Sequence, residues 1–222
     1  MRLTLIALLL AGVEGCDSEP DDRAVIRFEE PKPESENGGD KKPDPEFEAT
    51  LKAAEQGDAD AQFYLGEIYE SGIHANGEDV PQNYAEAMKW WLKAAEQGNA
   101  EAKFKLGLMY YDGDGVPQDY AEAMKWYRKA AEQGDAVAQL FLGYLYFEGE
   151  GVPKDDVEAY VWFSIAAINT NNESDPDDPD HWIEEAKGIV AREKARLTPN
   201  QLIAAEKRIE ELTEQINANK AK

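Results

Sequence analysis

Few side chains in this sequence have the types and spacing that catalysis needs. Acylation at a Ser-x-x-Lys pattern requires a lysine one helical turn beyond the nucleophile. Ser18, Ser35, Ser71, Ser164 and Ser174 all lack it. A helical zinc hydrolase site needs two histidines at i and i+4 around a glutamate base, as His-Glu-x-x-His. Here His74 lies in a turn and His181 leads "HWIEE", where it reads as a solvated first-turn residue. The single cysteine, Cys16, forms no intrachain disulfide and no soft-ligand metal set.

Calcium is the remaining chemistry to test. "DGDGVP" sets Asp112 and Asp114 at the first and third positions of an EF-hand-like loop. Val116 and Pro117 then occupy the fifth and sixth positions, where a ligand and the turn glycine belong. "DPDDPD" from Asp175 to Asp180 also lacks the glycine. Both read as solvated acidic loops, so no metal, cofactor or catalytic residue is assigned.

Charge restricts the partners. The 46 acidic and 23 basic residues give a formal charge of −23. That sign opposes binding to nucleic acid or to anionic lipid, both of which need basic surfaces. A cationic partner fits better.

The N-terminus carries a further pattern. Arg2 precedes an apolar run from Leu3 to Val13, too short to span a bilayer but suited to a secretory segment. Val13, Gly15 and Cys16 resemble the lipobox of bacterial lipoproteins, with Glu14 departing from its usual small residue. The resemblance implies a signal peptide over 1–15 and lipid on Cys16. The protein is then expected to be exported, periplasmic and held at a membrane through that anchor alone. Residues 16–45 are acidic and Pro-rich, and read as a disordered tether.

The elements beyond the tether come from repetition. Trp90, Trp126 and Trp162 recur every 36 residues, and identical residues at fixed spacing are expected to serve as scaffold. Leu65-Gly66, Leu106-Gly107 and Leu142-Gly143 recur after 41 and then 36 residues. The extra five fall in "SGIHANGEDVP", a loop insertion. Gly57, Gly98 and Gly134 are helix stops, and Asp58, Asn99 and Asp135 are N-caps for the helices that follow. The glycine inside each Leu-Gly pair is tolerable if a neighbouring helix approaches closely there. Pro81, Pro117 and Pro153 favour a break before each second helix. In the middle copy that helix buries Tyr120, Ala123, Tyr127 and Ala130 at helical spacing. Neither helix pair can cover its own apolar face, so copies stack.

The boundaries follow: a half-repeat helix over 46–57 and repeats over 58–98, 99–134 and 135–170. An acidic loop at 171–180 leads to capping helices within 181–222. In the last of these, Thr198 is the N-cap and Leu202, Ile209, Leu212 and Ile216 form the apolar stripe.

The pattern A-x-A-x-x-x-L-G-x-x-Y-x-x-G-x-G-V-P, continued by W-Y-x-K-A-A-E-x-G, resembles the Sel-one-like repeat, a relative of the tetratricopeptide repeat. The resemblance implies an all-α, right-handed solenoid of helix-turn-helix units, acting as a non-catalytic scaffold for a protein or peptide. A β-lactamase-like branch of such proteins is the alternative, but the absence of Ser-x-x-Lys and of disulfide pairs disfavours it. By analogy with tetratricopeptide relatives, the first helix of each pair lines the concave face. The implied face is Phe63, Glu67 and Glu70 in the first copy, Phe104, Leu108 and Tyr111 in the second, and Leu140, Tyr144 and Phe147 in the third. It runs from acidic to aromatic, which suits a ligand with a basic end. Two readings stay open for Tyr144 and Phe147: contact with a partner, or burial under the C-terminal cap.

Overall fold

The computed structural model describes residues 45–72, 80–170 and 181–220. The signal segment with Cys16, the tether, His74 and the acidic loop lie outside them. All regular structure among the described residues is α-helical. The half-repeat is α1 (Pro45–Glu55). The three pairs are α2 (Ala59–Ser71) with α3 (Tyr84–Glu96), α4 (Ala100–Asp112) with α5 (Tyr120–Ala131), and α6 (Ala136–Glu148) with α7 (Asp156–Thr170). The chain then forms α8 (His181–Lys194) and α9 (Pro199–Lys220).

Local sequence accounts for these ends. Gly57, Gly98 and Gly134 have φ of 95°, 101° and 94°, a region that a β-carbon disfavours. Asp58, Asn99 and Asp135 then accept from the amides of Ala61, Ala102 and Ala138 at 2.7–2.8 Å. Asn83, Asp119 and Asp155 cap the second helices in the same way, accepting from Glu86, Glu122 and Glu158. At α9, Thr198 and Gln201 exchange a reciprocal capping box.

The Leu-Gly pair has a specific packing role. Within each unit the second helix lays a ring directly on the glycine of the first: Trp91 on Gly66, Tyr127 on Gly107, Phe163 on Gly143. A β-carbon on Gly107 would lie 2.5 Å from Tyr127 Cδ1, and one on Gly143 2.5 Å from Phe163 Cδ1. The glycine therefore sets how closely the two helices approach.

The recurrent tryptophans do a different job. Trp90 is buried with Ala54, Leu65 and Ile68, and Trp162 is buried among residues of α5, α6 and α9. Trp126 corrects the expectation of three equivalent scaffold rings. It is half-buried, with one face beneath Lys129 Nζ at 3.9 Å from the ring centroid. Trp126 packs against the α3 and α4 cluster, whereas Trp162 gains cover from α9, which brings Leu212 and Ile216 into its cluster.

Polar groups also tie the units together. Gln62 Nε2 donates to the Ala54 carbonyl and Gln139 Nε2 to that of Ala131, both at 2.9 Å in buried surroundings. Each glutamine accepts in return from an amide of its own unit's second-helix end, Gln97 and Asn169 respectively. Buried amides satisfied at both ends fix the register between units.

Candidate peptide-binding face

The nine face residues arise from one geometric rule. Relative to the leucine of each Leu-Gly pair they lie two before, two after and five after, a spacing that puts them on one side of a helix. Eight of the nine are half-buried side chains of α2, α4 and α6. Leu140 is the correction: it is 5% exposed, packed with Ala159, Phe163, Ala166 and Ile189. It belongs to the core.

A position absent from the sequence reading links one unit's face to the next. The residue just before each leucine, Lys105 in α4 and Phe141 in α6, reaches back to the preceding first helix. Lys105 Nζ lies 2.8 Å from Glu70 Oε2 and 3.9 Å from Glu67 Oε1. Phe141 meets Phe104 at 5.6 Å and Tyr111 at 5.7 Å between centroids, edge-on in both cases. Tyr111 also meets Tyr120 at 5.3 Å. Each reaching side chain thus matches the chemistry it meets, cation on carboxylates and ring on rings. A signal was present in the sequence, since this position also varies between copies as Tyr64, Lys105 and Phe141.

The acidic end is electrostatically loaded. Burial, and then the neighbouring Glu70 and Glu101, push the Glu67 carboxyl above its ordinary value, while Lys105 pulls it down. Asp112 is raised by burial, then by Asp114 and Glu70. In the third unit, just after α6, Glu150 is likewise raised by burial, then by Glu148. In each case the folded chain holds the proton more tightly than the unfolded chain. Stability therefore falls as pH rises through the raised values, and the penalty is absent below the unfolded values of 4.5 for Glu67 and 3.8 for Asp112. The melting temperature should rise as pH is lowered through the raised values toward the unfolded value of 4.5, and Glu67→Gln should flatten the slope. Contact with water keeps the effect modest. A melting temperature that falls over this range would remove the face from the explanation.

At the other end the cap and the face meet. Ile189 and Val190 of α8 join the cluster containing Leu140 and Phe163, against which Tyr144 and Phe147 pack. Tyr144 lies edge-on to Phe163 at 5.2 Å. The guanidinium of Arg196 sits 5.3 Å from the Phe147 ring centroid while Arg196 Nη1 pairs with the buried Glu193 at 3.2 Å. Of the two residues left open, Phe147 touches the cap through Arg196, whereas the ring contact of Tyr144 is with Phe163 of its own unit.

Among the described residues no helix is long and apolar enough to cross a membrane. In the same residues no three His, Cys, Asp or Glu side chains group as a metal site.

Comparison with known proteins follows the same periodicity. The Sel1 repeat model matches residues 59–99, 100–135 and 136–171, one residue offset from the units read from the sequence. A solved Sel1 repeat protein from Oxalobacter formigenes is 39% identical over 56% of this chain and 54% of its own, with TM-score 0.48. A protective antigen of uropathogenic Escherichia coli displaying an SLR fold is 31% identical, covering 79% of this chain and 42% of its own, with TM-score 0.47. Cysteine-rich protein B of Helicobacter pylori is 25% identical, covering 64% and 90%, with TM-score 0.44. The chain spans about half the length of the first two. A search of curated proteins gives no match. With three consecutive repeat matches that together take in half its length, the chain belongs to the Sel1 repeat family.

Proposed function

We propose that this Sel1 repeat protein is a non-catalytic scaffold that binds a protein segment along α2 and α4, with the basic part of the ligand on Glu67 and Glu70. Sel1 repeat proteins are typically interaction scaffolds, and one observation carries the finer reading. The Leu-Gly pairs are identical in all three units and buried, whereas eight of the nine face positions stay half-exposed and their chemistry shifts from unit to unit. Lys105 and Phe141 account for part of that variation; the half-exposed Leu108, outside every core cluster, is what recognition explains. Because α8 covers the third unit, the apolar part of the ligand rests on Phe104, Leu108 and Tyr111.

Leu108 is the clean probe, since it is half-exposed and stands outside every core cluster. In a panel of synthetic peptides with basic and apolar halves, binders should lose about 1–3 kcal/mol on Leu108→Ala, with a native melt. Glu67→Gln should instead lower the on-rate and its salt dependence. Unchanged affinity for every binder in the Leu108→Ala protein refutes this face.

Export and lipidation of Cys16 belong to the same proposal, motivated by the apolar run that ends at the only cysteine. Globomycin and Cys16→Ala should each leave a larger precursor in cells. A mature protein that is soluble and begins anywhere but residue 16 rules out the anchor.

A further inference from the structure

Three residues before each Leu-Gly leucine stand Gln62, Lys103 and Gln139. The two glutamines are buried framework amides that donate to the preceding unit's carbonyl. Lys103 puts an ammonium where its equivalents are neutral. Its Nζ reaches Gln133 Oε1 at 2.6 Å and the Gly98 carbonyl at 3.4 Å. Among the described residues it meets no carboxylate at ion-pair distance, and neither does Lys129, whose ammonium rests on Trp126. Burial, and then the nearby Lys129, pull Lys103 below its ordinary value. Both lysines line an open cavity of ≈ 580 Å³ together with Lys220 from the end of α9. Asn219 helps to place that end, donating to the Glu132 carbonyl at 3.1 Å.

We propose that this cavity, between the second unit and the end of α9, binds a phosphate-class oxyanion through Lys103, Lys129 and Lys220. Glu132 is the one carboxylate in the lining, set against the ammonium groups of Lys103 and Lys129, neither of which has a carboxylate at ion-pair distance among the described residues. That local sign is the reverse of a chain with a formal charge of −23. The choice of phosphate over carboxylate follows from the donors. A carboxylate is best gripped by the planar fork of arginine, and no arginine lines the cavity. Ammonium groups act as point charges that can surround a tetrahedral oxyanion from several sides. The site lies apart from the proposed peptide face and stands or falls independently of it.

Inorganic phosphate and O-phosphoserine titrated into the isotope-labelled chain, at ionic strength matched with sodium chloride, provide the test. Saturable amide shifts are expected at Lys103, Lys129 and Asn219, with acetate giving none. Lys103→Gln installs the residue that the other two units carry, so it should fold, and it should weaken binding about tenfold by removing one charge-assisted contact. Lys129→Ala should do the same, while Lys93→Ala, at the equivalent place in the first unit, should change nothing. Saturation by inorganic phosphate points to the free ion as ligand; saturation by phosphoserine alone points to a phosphorylated partner. Shifts that fail to saturate, that chloride reproduces, or that persist unchanged in natively melting Lys103→Gln and Lys129→Ala proteins overturn the proposal.

Discussion

Trp91→Ala is expected to remove about 3–5 kcal/mol of stability, a large share of what a domain of this kind has to lose. The ring is fully buried and packs with residues of both α3 and α4, including Met88, Ala95, Leu106 and Met109. It therefore joins the first unit to the second as well as closing on Gly66. Its Nε1 also donates to the Phe63 carbonyl at 3.2 Å, a bond that alanine abolishes. Collapse into the gap is opposed on the side of the second unit, whose helix spacing is held by its own ring on Gly107. Since stacked units stabilise one another, the loss should spread beyond the first unit. Trp91→Phe should cost much less, because phenylalanine already fills this role as Phe163 in the third unit. The half-buried Trp126→Ala serves as comparator and should cost less than Trp91→Ala. Denaturant melts of the three variants decide the matter; equal losses for Trp91→Ala and Trp126→Ala would show that burial does not set the scale here.

Gly107→Ala should be destabilising even though alanine is the better helix former. Helix propensity alone favours the change by about 1 kcal/mol. Against it stands the Tyr127 ring, 2.5 Å from where the new carbon would lie. That ring is held by Phe104 at 5.6 Å and by Phe141 at 5.1 Å, so it has little room to retreat. Overpacking of a rigid site costs about 1–3 kcal/mol, and a contact this short belongs at the upper end, so packing outweighs propensity. The sign should reverse in a Tyr127→Ala background, where the added methyl enters empty space and only the propensity gain remains. A double-mutant cycle measures this directly. Additive effects, or a stabilising Gly107→Ala in the native background, would mean that the glycine is not there to admit the ring.

The sequence by itself determined whatever depends on residues close along the chain. Helix stops at Gly57, Gly98 and Gly134, caps at Asp58, Asn99 and Asp135, and the Leu-Gly period follow from backbone sterics and capping bonds within a few residues. Stacking then follows because each amphipathic pair leaves an apolar face uncovered. Tertiary structure alone decided which side chains those faces meet. Trp90 and Trp91 are neighbours about 100° apart on one helix. Identity at every repeat drew attention to Trp90, Trp126 and Trp162, yet the ring on the glycine is the next residue, which varies as Trp91, Tyr127 and Phe163. Aromatic bulk is what that place requires, so a search for repeated letters passes over it. The reach of Lys105 and Phe141 into the preceding unit depends on how units stack, a distance of more than thirty residues in sequence. Whether Ile189 reaches Leu140 and Arg196 reaches Phe147 depends on how the cap returns to the stack, and no local rule governs that path. The face was legible as a pattern of variation; its partial closure at one end was a matter of packing.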